Sequence, residues 1–170
     1  MIFICPAAAL ALIALFVFVP KRELRTEIEI GASASAVWEV LRDFPAYPGW
    51  NPFITHIEGT LRPGERLKVR LSSHGGAART FHPVLLSVDP GLLIRWRGRL
   101  ALPRLFDGEH YFALVPSGEG TRFVHGESFS GVLLWLVGTD RFEADFRSMN
   151  EALKQRVNAT IIPPSSPMLP

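Results

Sequence analysis

The stretch EHYFALVPSGEGTRFVHGESFS, residues 109–130, decides the fold. Two alternating runs, Glu109–Val115 and Thr121–Ser130, flank Ser117-Gly118-Glu119-Gly120, which reads as a hairpin loop. If those four residues form the loop, Pro116 opposes Thr121, Phe112 opposes His125 and His110 opposes Glu127. Opposed residues share a face, so His110, Phe112 and Leu114 stand with Phe123, His125, Glu127 and Phe129. This face carries the large apolar residues and is expected to be concave. Glu109, Tyr111, Arg122 and Ser128 fall on the other face. In the preceding run, Leu92–Leu100, Ile94 and Trp96 alternate with Arg95, Arg97 and Arg99, which places the arginines on a convex, solvated surface.

Downstream, Phe142, Phe146, Met149, Leu153 and Val157 recur at intervals of four, three, four and four residues and form one apolar stripe on a helix. Asp140 and Glu143 suit a capping box, with Gly138 marking the break before it. Upstream, Thr26–Ile30 alternates like a half-buried strand. Ser33 or Ser35 then caps a short helix over Ala36–Phe44, and Pro45, Pro48 and Pro52 break the chain around Tyr47, Trp50 and Asn51. Asn51 is expected to bond its own turn, and Trp38, Trp50 and Trp96 to fill core or line a cavity. Phe53–Gly59, Arg66–Ser72 and Thr80–Val88 read as further strands, separated by turn signals at Pro63-Gly64 and Asp89-Pro90-Gly91. The expected fold is α+β: a curved antiparallel sheet wrapped around a long C-terminal helix, over residues 24–158.

The 170-residue chain suits one such domain. A net charge of +2 is too small to imply a nucleic-acid partner. Cys5 is the sole cysteine, so there is no internal disulfide and no Cys-based metal site downstream. Mean hydropathy is +0.19, and much of the excess lies in the first 19 residues. Residues 2–19, IFICPAAALALIALFVFV, carry no charge and precede Lys21, Arg22 and Arg25. A helix of that length reaches ~27 Å, just enough for a bilayer core of roughly 30 Å. With no basic n-region and no small-residue cleavage site, the segment fits an anchor better than a signal peptide. The basic flank then places the domain in the cytoplasm, membrane-anchored through residues 1–20; without a real anchor the chain is simply cytoplasmic. Residues 159–170, rich in proline, read as a flexible tail.

His110, His125 and Glu127 are three ionisable groups on an apolar wall. They suit a buried hydrogen-bonded pair bridging sheet and helix, a device that orients a ligand's hydroxyl or carbonyl, or a general acid and base. Two histidines and one carboxylate at this strand spacing carry no metal-site signature, and no metal is expected. The glycine tracts lack the GxGxxG and Walker patterns, and no GxSxG nucleophile motif occurs, so no cofactor is expected.

These segments resemble the SRPBCC superfamily, the helix-grip proteins that include START-like lipid-transfer domains, polyketide cyclases and the birch-pollen allergen family. The likeness runs through AVWEVLRDFPAYPGWNPFI, EGTLRPGERLKVRL, FHPVLLSVDPGLLIRWRG, LFDGEHYFALVP, TRFVHGESFSG and MNEALKQRV. It implies a cavity between sheet and long helix that binds a small hydrophobic molecule, a lipid or an aromatic, polyketide-like compound. It transfers no catalytic set. The expected ligand-binding residues are Trp96, His110, Phe112, Phe123, His125, Glu127, Phe129, Phe142, Phe146 and Met149. Catalytic candidates are His110, His125 and Glu127, for an enzyme of cyclase, dehydratase or isomerase type. A protein-interaction module is a further alternative.

Overall fold

Ser33 begins the first helix: its Oγ accepts from Ala36 N at 3.3 Å, satisfying a first-turn N–H that has no partner within the helix. This helix, α1 (Ala34–Arg42), buries Val37, Trp38, Val40 and Leu41 and stops ahead of Pro45. Phe44 therefore belongs to the 3-10 turn Phe44–Gly49 and not to the helix. Tyr47 is fully buried there and donates its hydroxyl to Leu41 O at 2.8 Å. Asn51 bonds its own turn as expected, its Oδ1 accepting from Phe53 N (3.0 Å) and Ile54 N (2.8 Å).

The computed structural model describes residues 19–73, 77–100, 102–136 and 141–161. Eight strands follow in chain order: β1 (Lys21–Ile30), β2 (Ile54–Glu58), β3 (Lys68–Leu71), β4 (Arg79–Phe81), β5 (Val84–Asp89), β6 (Leu93–Arg99), β7 (Asp107–Ser117) and β8 (Gly120–Ser130). They form a five-stranded antiparallel sheet, β1-β8-β7-β6-β5, and a three-stranded one, β2-β3-β4. The chain's last helix, α2 (Arg141–Ile161), packs against β1, β8 and α1. It buries Phe146, Met149, Leu153 and Val157 along the expected stripe, and also Asp145 and Asn150.

The hairpin register is the one read from the loop length. His110 opposes Glu127, Phe112 opposes His125 and Pro116 opposes Thr121. Ser117 and Gly120 also pair, so the turn itself is only Gly118-Glu119, with Gly118 at a φ of +56° that favours glycine. His110, Phe112, Leu114, Phe123, His125 and Phe129 are buried on the concave face. Arg97 and Arg99 stand on the convex one, paired with Glu109 (2.9 Å) and Asp107 (3.1 Å).

Four expectations need correcting. Thr80–Val88 is not one strand: Pro83 has no N–H to give to a ladder, and the chain changes sheets there, β4 pairing with β3 and β5 with β6. The first strand begins at Lys21, five residues before Thr26. The last helix runs on to Ile161, three residues into the stretch expected to be a tail. Finally, the expectation of a membrane-anchored chain with its domain in the cytoplasm is overturned. Among the described residues no helix is long and apolar enough to cross a membrane; α2, the long one, carries charged residues through most of its length. The apolar residues 2–18, the Gly138 break, Asp140 of the capping box and residues 162–170 lie outside the described residues.

Candidate functional site

Gly98 on β6 and Gly108 on β7 are directly paired and face inward. Their missing side chains leave bare backbone at one end of the concave wall, beyond Trp96 and His110. A cavity of about 300 Å³ opens there, at the small end of the ~300–1,000 Å³ range of ligand sites. Its first wall is Trp96, Gly98, Gly108, His110, Glu127 and Phe129. The opposite wall comes from the smaller sheet and its flanks: Phe53, Val69, Leu71, Ser73, Arg79 and Phe81. Phe106 and Phe142 close one end. A larger and more open hollow, about 500 Å³, is lined by the charged Glu39, Arg42, Asp43 and Arg156 beside Val40, Pro45, Ala46 and Trp50.

The polar groups of the wall continue inward as a chain of hydrogen bonds. Glu127 Oε2 lies 3.4 Å from His110 Nδ1, and His110 Nε2 lies 3.1 Å from His125 Nε2. His125 Nδ1 is 2.9 Å from Asn150 Oδ1 on α2, and Asn150 Nδ2 donates to Thr26 Oγ1 on β1 at 2.9 Å. Thr26 in turn donates to the His125 carbonyl at 3.3 Å. Stacking fixes both rings: His110 lies flat on Trp96 (4.7 Å between centroids, 3° between planes) and His125 on Phe146 (3.7 Å, 7°).

Burial sets the charge states. It pushes the Glu127 carboxyl up to about 8 and pulls His110 down to about 3. His125 is held well below its ordinary value, first by burial and then by the neighbouring His110, against the opposing pull of its bonds to Asn150 and to the Phe146 backbone. Near neutrality the Glu127–His110 contact is thus between an uncharged acid and an uncharged imidazole, and not an ion pair. The Glu127 side chain keeps 20% of its surface exposed, into the cavity. A second buried carboxylate, Asp145, accepts a hydrogen bond from Ser73 at the far wall.

Of the residues expected to bind, Trp96, His110, Glu127, Phe129 and Phe142 line the cavity. Phe112, Phe123, His125, Phe146 and Met149 lie behind it in the core, none more than 1% exposed. His125 reaches the cavity only through His110. Sequence reasoning missed the smaller sheet's contribution, the two glycines and the Asn150–Thr26 extension. Asn150 was findable, since it sits four residues after Phe146 on the buried stripe. Among the described residues no group of three His, Cys, Asp or Glu is arranged to hold a metal ion.

A curved antiparallel sheet gripping a long C-terminal helix, with a cavity in the grip, defines a helix-grip domain of the SRPBCC superfamily. Within it, the chain belongs to the polyketide cyclase / dehydrase and lipid transport family, whose model matches residues 21–158. Solved structures share the fold at low identity. An aromatase/cyclase from a Streptomyces species superposes with a TM-score of 0.67 at 16% identity, over 84% of this chain and 97% of that one. Norcoclaurine synthase from Thalictrum flavum, a point mutant bound to a transition-state analogue, gives 0.63 at 16% identity, over 85% and 98%. A major latex-like protein from Panax ginseng gives 0.67 at 11%, over 80% and 97%. No curated protein matches the chain significantly in sequence.

Proposed function

We propose that this domain binds a small, mostly apolar molecule, a lipid or an aromatic polyketide-like compound, in the cavity between its two sheets. The observation that carries this reading is the cavity itself: mostly apolar walls enclose the polar pair Glu127 and His110, with Ser73 and Arg79 on the facing side. Membership of a family described by cyclase, dehydrase and lipid-transport activities supports it. Native mass spectrometry of the gently purified protein tests it. A co-purifying small molecule, or one retained from a panel of lipids and fused aromatics, is expected. A chain that carries nothing and retains nothing from the panel refutes the reading.

A second reading has its own observation behind it. A carboxyl that stays protonated near neutrality, backed by His110 and His125, is suited to general acid chemistry of the cyclase, dehydratase or isomerase kind. Under this reading Glu127→Gln abolishes turnover of a bound substrate while affinity survives. Unchanged turnover in that variant removes the enzymatic reading and leaves the binding one intact.

A further inference from the structure

The hydrogen-bond chain behind the cavity has only one consistent direction, and it can be traced from its inner end. The His125 carbonyl only accepts, so Thr26 donates to it. Thr26 Oγ1 therefore accepts from Asn150 Nδ2, which turns Asn150 Oδ1 toward His125. That oxygen only accepts as well, so His125 Nδ1 carries the ring hydrogen. A neutral imidazole has one N–H, so His125 Nε2 is bare and accepts from His110 Nε2–H. His110 Nδ1 is then bare too. Its contact with Glu127 Oε2 is a hydrogen bond only if the carboxyl supplies the proton.

The acid hydrogen of Glu127 is thus committed inward, to His110. The other oxygen, Oε1, has no hydrogen-bond partner among the described residues, and it hangs over Gly108 within the cavity lining. We propose that Glu127 Oε1 acts as an uncharged hydrogen-bond acceptor that selects ligands carrying a neutral hydroxyl or phenol group. This deepens the binding function proposed above and rests on it. A ligand hydroxyl completes the unpaired oxygen. An ether has no hydrogen to give, and a carboxylate sets its own oxygens against Oε1 and loses its hydration. Arg79, the cation on the opposite rim, is exposed to solvent, so its attraction for an anionic ligand is screened.

Isothermal titration of the full chain at pH 6.5 with 2-naphthol, 2-methoxynaphthalene and 2-naphthoate reads the selection directly, because the three share one ring system. Naphthol is expected to bind about tenfold more tightly than the other two. Glu127→Gln keeps that preference, since its amide N–H₂ donates to His110 and its oxygen still accepts. Glu127→Leu loses the preference while retaining the ring binding, and thermal melts establish that both variants fold. Equal binding of the three compounds overturns the proposal and leaves the apolar binding function standing. So does a folded Glu127→Gln that no longer prefers naphthol. Naphthoate binding as tightly as naphthol overturns it in favour of Arg79. No binding by any of the three overturns both this proposal and the function it rests on.

Discussion

Glu127 Oε1 lies where a β-carbon on Gly108 would clash with it, so the carboxyl occupies the space of an omitted side chain. The paired Gly98 is different, with nothing within 4 Å of its own β-carbon position. The two glycines make the same cavity by opposite means, one leaving room for a functional group and the other leaving a void.

Alanine at each position separates those roles. Gly98→Ala is expected to fold at least as well as the parent, gaining roughly 0.4–1 kcal/mol from a stiffer unfolded chain. Its methyl projects into the cavity, so affinity for a two-ring ligand falls. Gly108→Ala forces the flexible Glu127 carboxyl aside and breaks its bond to His110. Nitrogen chemical shifts of the imidazoles check this: His110 should move and His125 should not.

The Glu127 and His110 shifts give opposite pH dependences. Folded Glu127 holds its proton to about 8, whereas its ordinary value is 4.5. Between those values the folded chain binds more protons than the unfolded one, so this group's contribution to stability falls as pH rises through the window. His110 is depressed from 6.5 to about 3, so its contribution falls as pH drops below 6.5. Glu127→Gln should therefore gain in melting temperature over the parent as pH is raised from 5 to 8. A difference that stays flat across that range would mean that the carboxyl ionises normally.

Asn150 satisfies two buried groups at once, the His125 N–H and the Thr26 hydroxyl. Asn150→Leu leaves both without their partner on α2, at an expected cost of about 1–3 kcal/mol in urea unfolding. The cavity walls do not include Asn150, so ligand binding by the folded fraction should change far less than stability.

Tyr47 is wholly buried, and its single bond to the Leu41 carbonyl ties the 3-10 turn back to α1. Burial drives its hydroxyl far above the ordinary phenol range. Tyr47→Phe is expected to lower stability by roughly 1 kcal/mol at any pH between 5 and 9, measured by chemical denaturation.

Much of this architecture is legible in the residues, and the parts that are not share a physical cause. Alternation and one loop length gave the register of β7 and β8, because side chains in a strand have a period of two. The stripe from Phe142 to Val157 gave α2 for the corresponding reason. The cavity was harder to read. Its defining residues, Gly98 and Gly108, contribute an absence, and an absence leaves no periodicity. The opposite wall was lost when Thr80–Val88 was read as one strand, although Pro83 stood within it. Phe112, Phe123, Phe146 and Met149 share the concave face with Glu127, but a shared face does not tell which depth a cavity occupies. The N-terminal apolar run misled in another way: length and lack of charge describe what a segment is able to do, and the described helices contain no membrane-crossing span.

The turn at Gly118-Glu119 governs more than a corner. His110 and Glu127, the polar pair of the concave wall, sit on the two strands it joins, as does His125 behind them. A slip of β8 by one position against β7 would turn its alternate side chains over, so that Glu127 and His125 faced solvent and Arg122 and Ser128 faced inward. The Ser117–Gly120 pair beside the turn holds the register that prevents this. The domain's chemical identity thus depends on how two strands are matched, while its size and outline do not.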